Sequence, residues 1–280
     1  MYETHFGLKE APFSLTPNTH FYLDSQSHQN AFQTVRVALD SMEGFIKIVG
    51  EVGTGKTLLC RRLLNTLNEP YVTAYIPNPQ LSPLELCLAV AEELGVIVDS
   101  SVGQHQLLKR INEKLVQHAA AGSQVVLVID EAQAMPDATI ESLRLLTNLE
   151  TESRKLLQVV LFGQPELDGL LNQPHLRQLK QRITFQEYLK PLSSEQVSHY
   201  IQHRVSLAGY NGPNLFHPKA VRWIGRSSGG VPRLVNILAH KALLAAYGDG
   251  TRQVTGQHVR RAVKDTESAR PLGWLQGVWA

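Results

Sequence analysis

The stretch Gly50-Glu51-Val52-Gly53-Thr54-Gly55-Lys56-Thr57 constrains this chain more than any other. It fits G-x-x-x-x-G-K-[ST], the spacing of a phosphate-binding P-loop. The run before it, Phe45-Ile46-Lys47-Ile48-Val49, reads as a buried parallel strand. The apolar spacing from Leu58 to Leu67 after it reads as a helix. A strand, a glycine-rich loop and a helix, in that order, are the context the motif needs. Gly50, Gly53 and Gly55 let the backbone turn tightly and bring its N–H groups close to a ligand. With the helix N-terminus those groups form an anion site. The nucleotide-binding segment is therefore expected at Gly50, Glu51, Val52, Gly53, Thr54, Gly55, Lys56, Thr57 and Leu58. Lys56 would reach the β- and γ-phosphates, and the Thr57 hydroxyl would hold Mg²⁺.

A second run completes the reading. Val125-Val126-Leu127-Val128-Ile129 is apolar and ends in Asp130-Glu131, the Walker B pattern. Such a strand carries its acids to the carboxyl edge of the sheet, where open α/β folds bind ligands. Asp130 is expected to hold Mg²⁺ through water, paired with Thr57, and Glu131 to orient or deprotonate the attacking water. Leu156 to Phe162 reads as another buried strand and ends in Gly163-Gln164-Pro165-Glu166-Leu167. Gln164 is either a sensor of the γ-phosphate or a turn former.

The rest of the chain falls into two patterns. Further strands are expected at 71–76 and 183–188, with helices at 27–42, 83–94, 104–121 and 137–150, the last with Ile140, Leu143, Leu146 and Leu149 in step. Ser82, Pro83 and Glu85 make a helix start close to a capping box. This alternation implies a parallel sheet covered by helices on both faces. After Pro191 the pattern turns helical, with glycines separating helices at about 195–208, 217–226, 232–247 and 255–264. The expected organisation is an α/β nucleotide-binding domain at 1–190, in which 1–44 is an N-terminal extension and first helix. A helical lid at 191–265 and a tail at 266–280 follow. The aromatics Phe6, Phe13, Phe21 and Tyr22 either pack on a core or line a nucleotide-base pocket.

Bulk properties exclude several classes. A net charge of +2 over 280 residues gives no global field for nucleic acid or acidic lipid. Cys60 and Cys87 form neither a metal-ligand nor a disulfide-framework pattern, which points to reduced thiols. No signal peptide, membrane-length apolar run or internal repeat stands out. The expected location is cytoplasmic, with peripheral attachment at the inner membrane left open.

Taken in order, GEVGTGKT, VVLVIDEAQ, FGQPEL, LRQLKQRI and GGVPRLVN resemble the AAA+ ATPases. With the N-terminal FGLKEAPFSLTP they resemble the ExeA/GspA group of secretion ATPases, in particular its short branch tied to mannose-sensitive haemagglutinin (MSHA) type IV pilus biogenesis. The resemblance covers about 1–265. It implies a P-loop NTPase fold with a parallel five-stranded sheet between helices and a small all-helical lid. It also implies ATP and Mg²⁺ as cofactors and a homo-oligomer, hexamer-like when ATP is bound, whose partners are inner-membrane pilus or secretion assembly proteins.

Position by position, the resemblance puts the Walker A lysine and magnesium hydroxyl at Lys56 and Thr57, and the Walker B metal aspartate and catalytic glutamate at Asp130 and Glu131. Sensor 1 falls at Gln164, where the family more often carries Asn or Thr. Arg182 resembles the arginine finger that reaches a neighbouring subunit, with Arg177 the other candidate. Arg233 in GVPR matches sensor 2. Asn78 lies where the family carries a polar residue that restrains the catalytic glutamate. ExeA-like proteins continue into a membrane span and a peptidoglycan-binding domain. Only residues 266–280 follow the lid here, so direct peptidoglycan binding is not expected. Trp274, Leu275, Val278 and Trp279 make that tail either an amphipathic anchor or a frayed end. The alternative function is a DNA-binding AAA+ regulator of transposition type, with Arg252, Arg260, Arg261 and Lys264 as a phosphate-binding face.

Overall fold

The computed structural model describes residues 2–14, 19–97, 103–148 and 155–272. Along the chain the elements are α1 (Tyr2–Phe6), α2 (Gln26–Asp40), β1 (Phe45–Gly50), α3 (Lys56–Thr66), β2 (Tyr71–Ile76), α4 (Pro83–Glu93), α5 (Gln104–Ala120), β3 (Gln124–Ile129), α6 (Asp137–Thr147), β4 (Leu157–Gly163), α7 (Glu166–Leu171), α8 (Arg177–Arg182), β5 (Ile183–Leu189), α9 (Ser194–Leu207), α10 (Pro218–Ser228), α11 (Pro232–Gly248) and α12 (Gly256–Lys264). They form two compact units. One comprises Gln26–Val52 and Lys56–Leu189. The other comprises the described residues up to Ser25, Gly53–Gly55, and those from Lys190 onward.

The first unit is a five-stranded parallel sheet in the order β2-β3-β4-β1-β5. β1, β4 and all but the first residue of β3 are buried, as continuous apolar runs covered on both faces should be. Alternate side chains feed two cores. Phe45, Leu127, Ile129, Val159 and Leu161 meet α4, α5, α6 and α7 on one face. Ile46, Ile48, Val126, Val128, Val160 and Phe162 meet α2 and α3 on the other. The register pairs Val49 with Gly163 and Ile129 with Leu161. The carboxyl ends of β1, β4 and β3 therefore line up, which sets Gly50, Gln164 and Asp130 along one edge.

Lys47 is a charged residue in the middle of buried β1. Its side chain is 8% exposed and forms an ion pair with Asp168 of α7. Asp168 also accepts a 3.0 Å hydrogen bond from the Tyr188 hydroxyl of β5. The capping box at α4 is present in full, with Ser82 and Glu85 each accepting from the other's backbone N–H. The helix expected over 137–150 runs from Asp137 to Thr147, and Leu149 lies outside the described residues.

The second unit is helical. Residues up to Ser25 belong to it, whereas sequence reading placed 1–44 with the α/β domain. The physical reason is burial. Tyr2, Phe6, Leu8, Phe13 and Phe21 share one core with Val197, Ile201, Phe216, Leu238, Ala239 and Val259. Buried Arg204 fastens the segment by donating to the Pro12 carbonyl and the Tyr200 hydroxyl, with its guanidinium over the Phe21 ring. Trp274, Leu275, Val278 and Trp279 lie outside the described residues. Among the described residues no helix is long and apolar enough to cross a membrane.

Candidate active site

The P-loop leaves β1 at Gly50 and enters α3 at Lys56. Gly53 and Gly55 take φ of +81° and +98°, which only glycine adopts without strain. The Lys56 ammonium is buried and donates to the carbonyls of Gly50 at 2.8 Å and Glu51 at 3.2 Å. Burial lowers its pKa, and the charges of Glu131, Asp130, Glu51 and Glu166 oppose that shift. Four acid charges thus oppose the effect of burial on this lysine, where phosphate oxygens would meet it.

Asp130 follows β3 and is 3% exposed. Burial raises its pKa, while hydrogen bonds from the Thr57 side chain and the Glu131 backbone N–H pull the other way. A buried carboxylate beside a hydroxyl is a pair of hard oxygen donors, which fits Mg²⁺. Among the described residues no cluster of three or more His, Cys, Asp or Glu could hold a metal. Thr57 and Asp130 would accordingly share the ion with phosphate oxygens and water, the usual mode for magnesium.

Glu131 adopts the left-handed backbone conformation, φ 51° and ψ 39°, and a short 3₁₀ turn, Ala132–Ala134, follows it. Its Oε2 accepts from Gln133 Nε2 at 2.6 Å and from Gln164 Nε2 at 2.9 Å. Gln133 Oε1 in turn accepts from the Gln164 backbone N–H at 2.9 Å. Burial pushes the Glu131 carboxyl up, but the two amide donors and the Lys56 charge outweigh it and hold the pKa below the usual carboxylate value. Gln164 also forms a turn, its carbonyl accepting from Leu167 N–H at 2.9 Å. The turn expected of Gln164 is present, and its side-chain amide is engaged by Glu131. Gly163 before it leaves the room that Leu167 occupies, since a Cβ there would stand 2.6 Å from Leu167 Cδ2.

The other expected positions take partners of their own. Arg182 ends α8 half-buried and donates to Thr147 Oγ1 at 3.3 Å, and Arg177 is exposed at the start of the same helix. Neither pairs with Asp130 or Glu131. Exposed Arg233 lies in the first turn of α11, and within the helical unit its backbone N–H donates to Gly53 O at 3.2 Å. Asn78 is exposed and accepts from the Gln80 N–H in a local turn, whereas the glutamate is held by Gln133 and Gln164. Sequence reading missed Gln133. Its signal was a polar side chain two positions past Glu131, in VVLVIDEAQ, where the neighbours are small.

A family model described as an AAA domain matches residues 39–171. Over those residues the chain resembles an AAA domain, and its fold is of AAA type. Around this stretch, the chain is 42% identical over 279 residues to the General secretion pathway protein A of Aeromonas hydrophila, a match that covers 99% of this chain and 51% of that one. The chain spans about half the length of that relative. In fold it is similar to Cdc6p from Pyrobaculum aerophilum, with TM-score 0.67 and 17% identity over 94% of this chain and 70% of that one. It is also similar to the Aeropyrum pernix ORC2 protein, with TM-score 0.63 and 15% identity over 89% and 72%. The Thermotoga maritima RuvB branch-migration motor follows at TM-score 0.54 and 16% identity over 88% and 73%. At these identities the solved structures speak for the AAA-type fold alone.

Proposed function

We propose that this chain binds ATP with Mg²⁺ at Gly50–Leu58 and hydrolyses it, and that the cycle drives or regulates assembly of an MSHA-like type IV pilus or a related secretion machine. The observation that carries the chemical part is the Glu131 carboxylate, held by two amide donors beside the Asp130–Thr57 pair. When bound, the ion neutralises charge on the phosphates. Lys56 and the loop N–H groups hold the β- and γ-phosphates. Glu131 takes the proton of the attacking water, whose oxygen bonds to the γ-phosphorus as the bond to the β-bridging oxygen breaks and ADP leaves. Gln164 orients the same carboxylate. Arg182, or Arg177 in its place, completes the site of an adjacent subunit, and Arg233 acts as the lid arginine.

The assembly role is supported by likeness to the secretion relative, and in this reading the protein works in the cytoplasm as a homo-oligomeric ring. The DNA alternative has less support, because three of the four basic positions it would use are engaged. Arg261 pairs with Asp249, Arg252 donates to the His5 carbonyl and Arg260 lies over the Trp223 ring.

Steady-state hydrolysis tests the chemistry. Activity should require Mg²⁺ and fall by about 100-fold or more in Lys56→Ala and Glu131→Gln. Wild-type turnover in Glu131→Gln would remove Glu131 from the mechanism. Mixing Arg182→Ala with Glu131→Gln protein should restore part of the activity, and no rescue in an assembled oligomer would reject Arg182 as the trans arginine. Deleting the gene should abolish pilus assembly or secretion, with complementation by wild type and not by Glu131→Gln. Salt-sensitive binding to duplex DNA without any assembly defect would favour the regulator reading.

A further inference from the structure

The amide of Gln133 sits between two groups that differ in what they ask of it. On one side the Gln164 backbone N–H donates to its Oε1 at 2.9 Å, and on the other its Nε2 donates to Glu131 Oε2 at 2.6 Å. Turned over, the amide would set its NH₂ against an N–H and its oxygen against a carboxylate, two repulsions in place of two hydrogen bonds. One orientation is therefore enforced. The backbone adds to this, because the 3₁₀ turn holds Gln133 two residues from Glu131 while Glu131 keeps its left-handed conformation. Gln164 enters the same network twice, through its backbone N–H to Gln133 and through its side-chain amide to Glu131. A displacement of Gln164 would therefore move both supports of the carboxylate together.

We propose that Gln133 is a positioning residue for ATP hydrolysis, which aims the Glu131 carboxylate and ties its direction to Gln164. The proposal rests on the reading of Glu131 as the residue that handles water. Gln133 supplies the restraint that the family resemblance assigned to Asn78, from the turn that directly follows the glutamate.

Two substitutions separate aiming from mere support. Gln133→Glu keeps the acceptor for the Gln164 N–H, removes the donor to Glu131 and sets a like charge beside it. Gln133→Met keeps the length and removes both bonds. With a positioning role, kcat should fall by about 10- to 100-fold in each, while KM for ATP and the affinity for a fluorescent ATP analogue stay within about twofold. In a Glu131→Gln background, adding Gln133→Glu should cause no further loss, because residues that act as a unit are not additive. The melting temperature and analogue binding identify any variant that fails to fold, and Gln133→Met carries the test if Gln133→Glu does not fold. Wild-type kcat in Gln133→Glu beside an inactive Glu131→Gln would overturn this proposal and leave the Glu131 reading standing. Wild-type kcat in Glu131→Gln would overturn both. A further loss from Gln133→Glu on top of Glu131→Gln would make Gln133 a structural support and overturn the proposal.

Discussion

Lys47 shows what a single residue has to solve in this fold. A charged side chain at 8% exposure in a strand buried along its length needs a counter-charge, and Asp168 supplies it. Removing the acid should cost more than removing both groups, because an unpaired buried charge is worse than none. Asp168→Asn is expected to lower unfolding free energy by about 3 kcal/mol, whereas Lys47→Met with Asp168→Leu should stay within about 1 kcal/mol of wild type. Urea denaturation of the two proteins decides it, and equal losses would show that the pair carries no special weight. Nothing in the sequence announced this partnership. Lys47 sat in a run that read as a strand, and Asp168 lies far along the chain on a helix too short for periodicity to reveal. Gln133 escaped for the same reason, since an amide acquires its role only when Gln164 folds beside it. Lys56, Thr57, Asp130 and Glu131 were legible because phosphate and metal chemistry demands those residue types at fixed spacing next to a strand and a helix.

At the scale of elements, the strands and long helices followed from apolar runs and period, and the α4 capping box from Ser82 and Glu85 alone. The short helices α1 and α7 did not, because five or six residues do not complete two turns of a pattern. The destination of the N-terminal segment was also hidden. Its aromatics allowed either a core or a base pocket, and the core that receives them is built from helices near the other end of the sequence. Arg204 joins the two, with no carboxylate as its partner among the described residues and with carbonyl, hydroxyl and ring faces instead. Arg204→Leu should therefore loosen the first twenty-five residues more than the helices. Limited proteolysis followed by mass spectrometry should show early cleavage before Ser25 in the variant. Wild-type resistance there would mean that Phe6, Phe13 and Phe21 hold the segment unaided.

For the whole molecule, both cysteines lie in the cores of the α/β unit. Burial pushes the Cys87 thiol up to about 11 and moves Cys60 further in the same direction, so neither offers thiolate near neutral pH. A thiol reagent at pH 7.5 should label the native protein slowly and take up two equivalents on denaturation. Rapid labelling of one thiol in the native state would reveal local opening of α3 or α4. The strand order has a consequence for synthesis as well. Among the described residues β1 pairs only with β4 and β5, both encoded later than β2 and β3. On the ribosome the phosphate loop thus emerges on a strand without neighbours, while β2 and β3 can already pair with each other. The nucleotide site should therefore be among the last parts of the sheet to close, which makes a growing chain unable to hold ATP until β4 has slotted between β1 and β3.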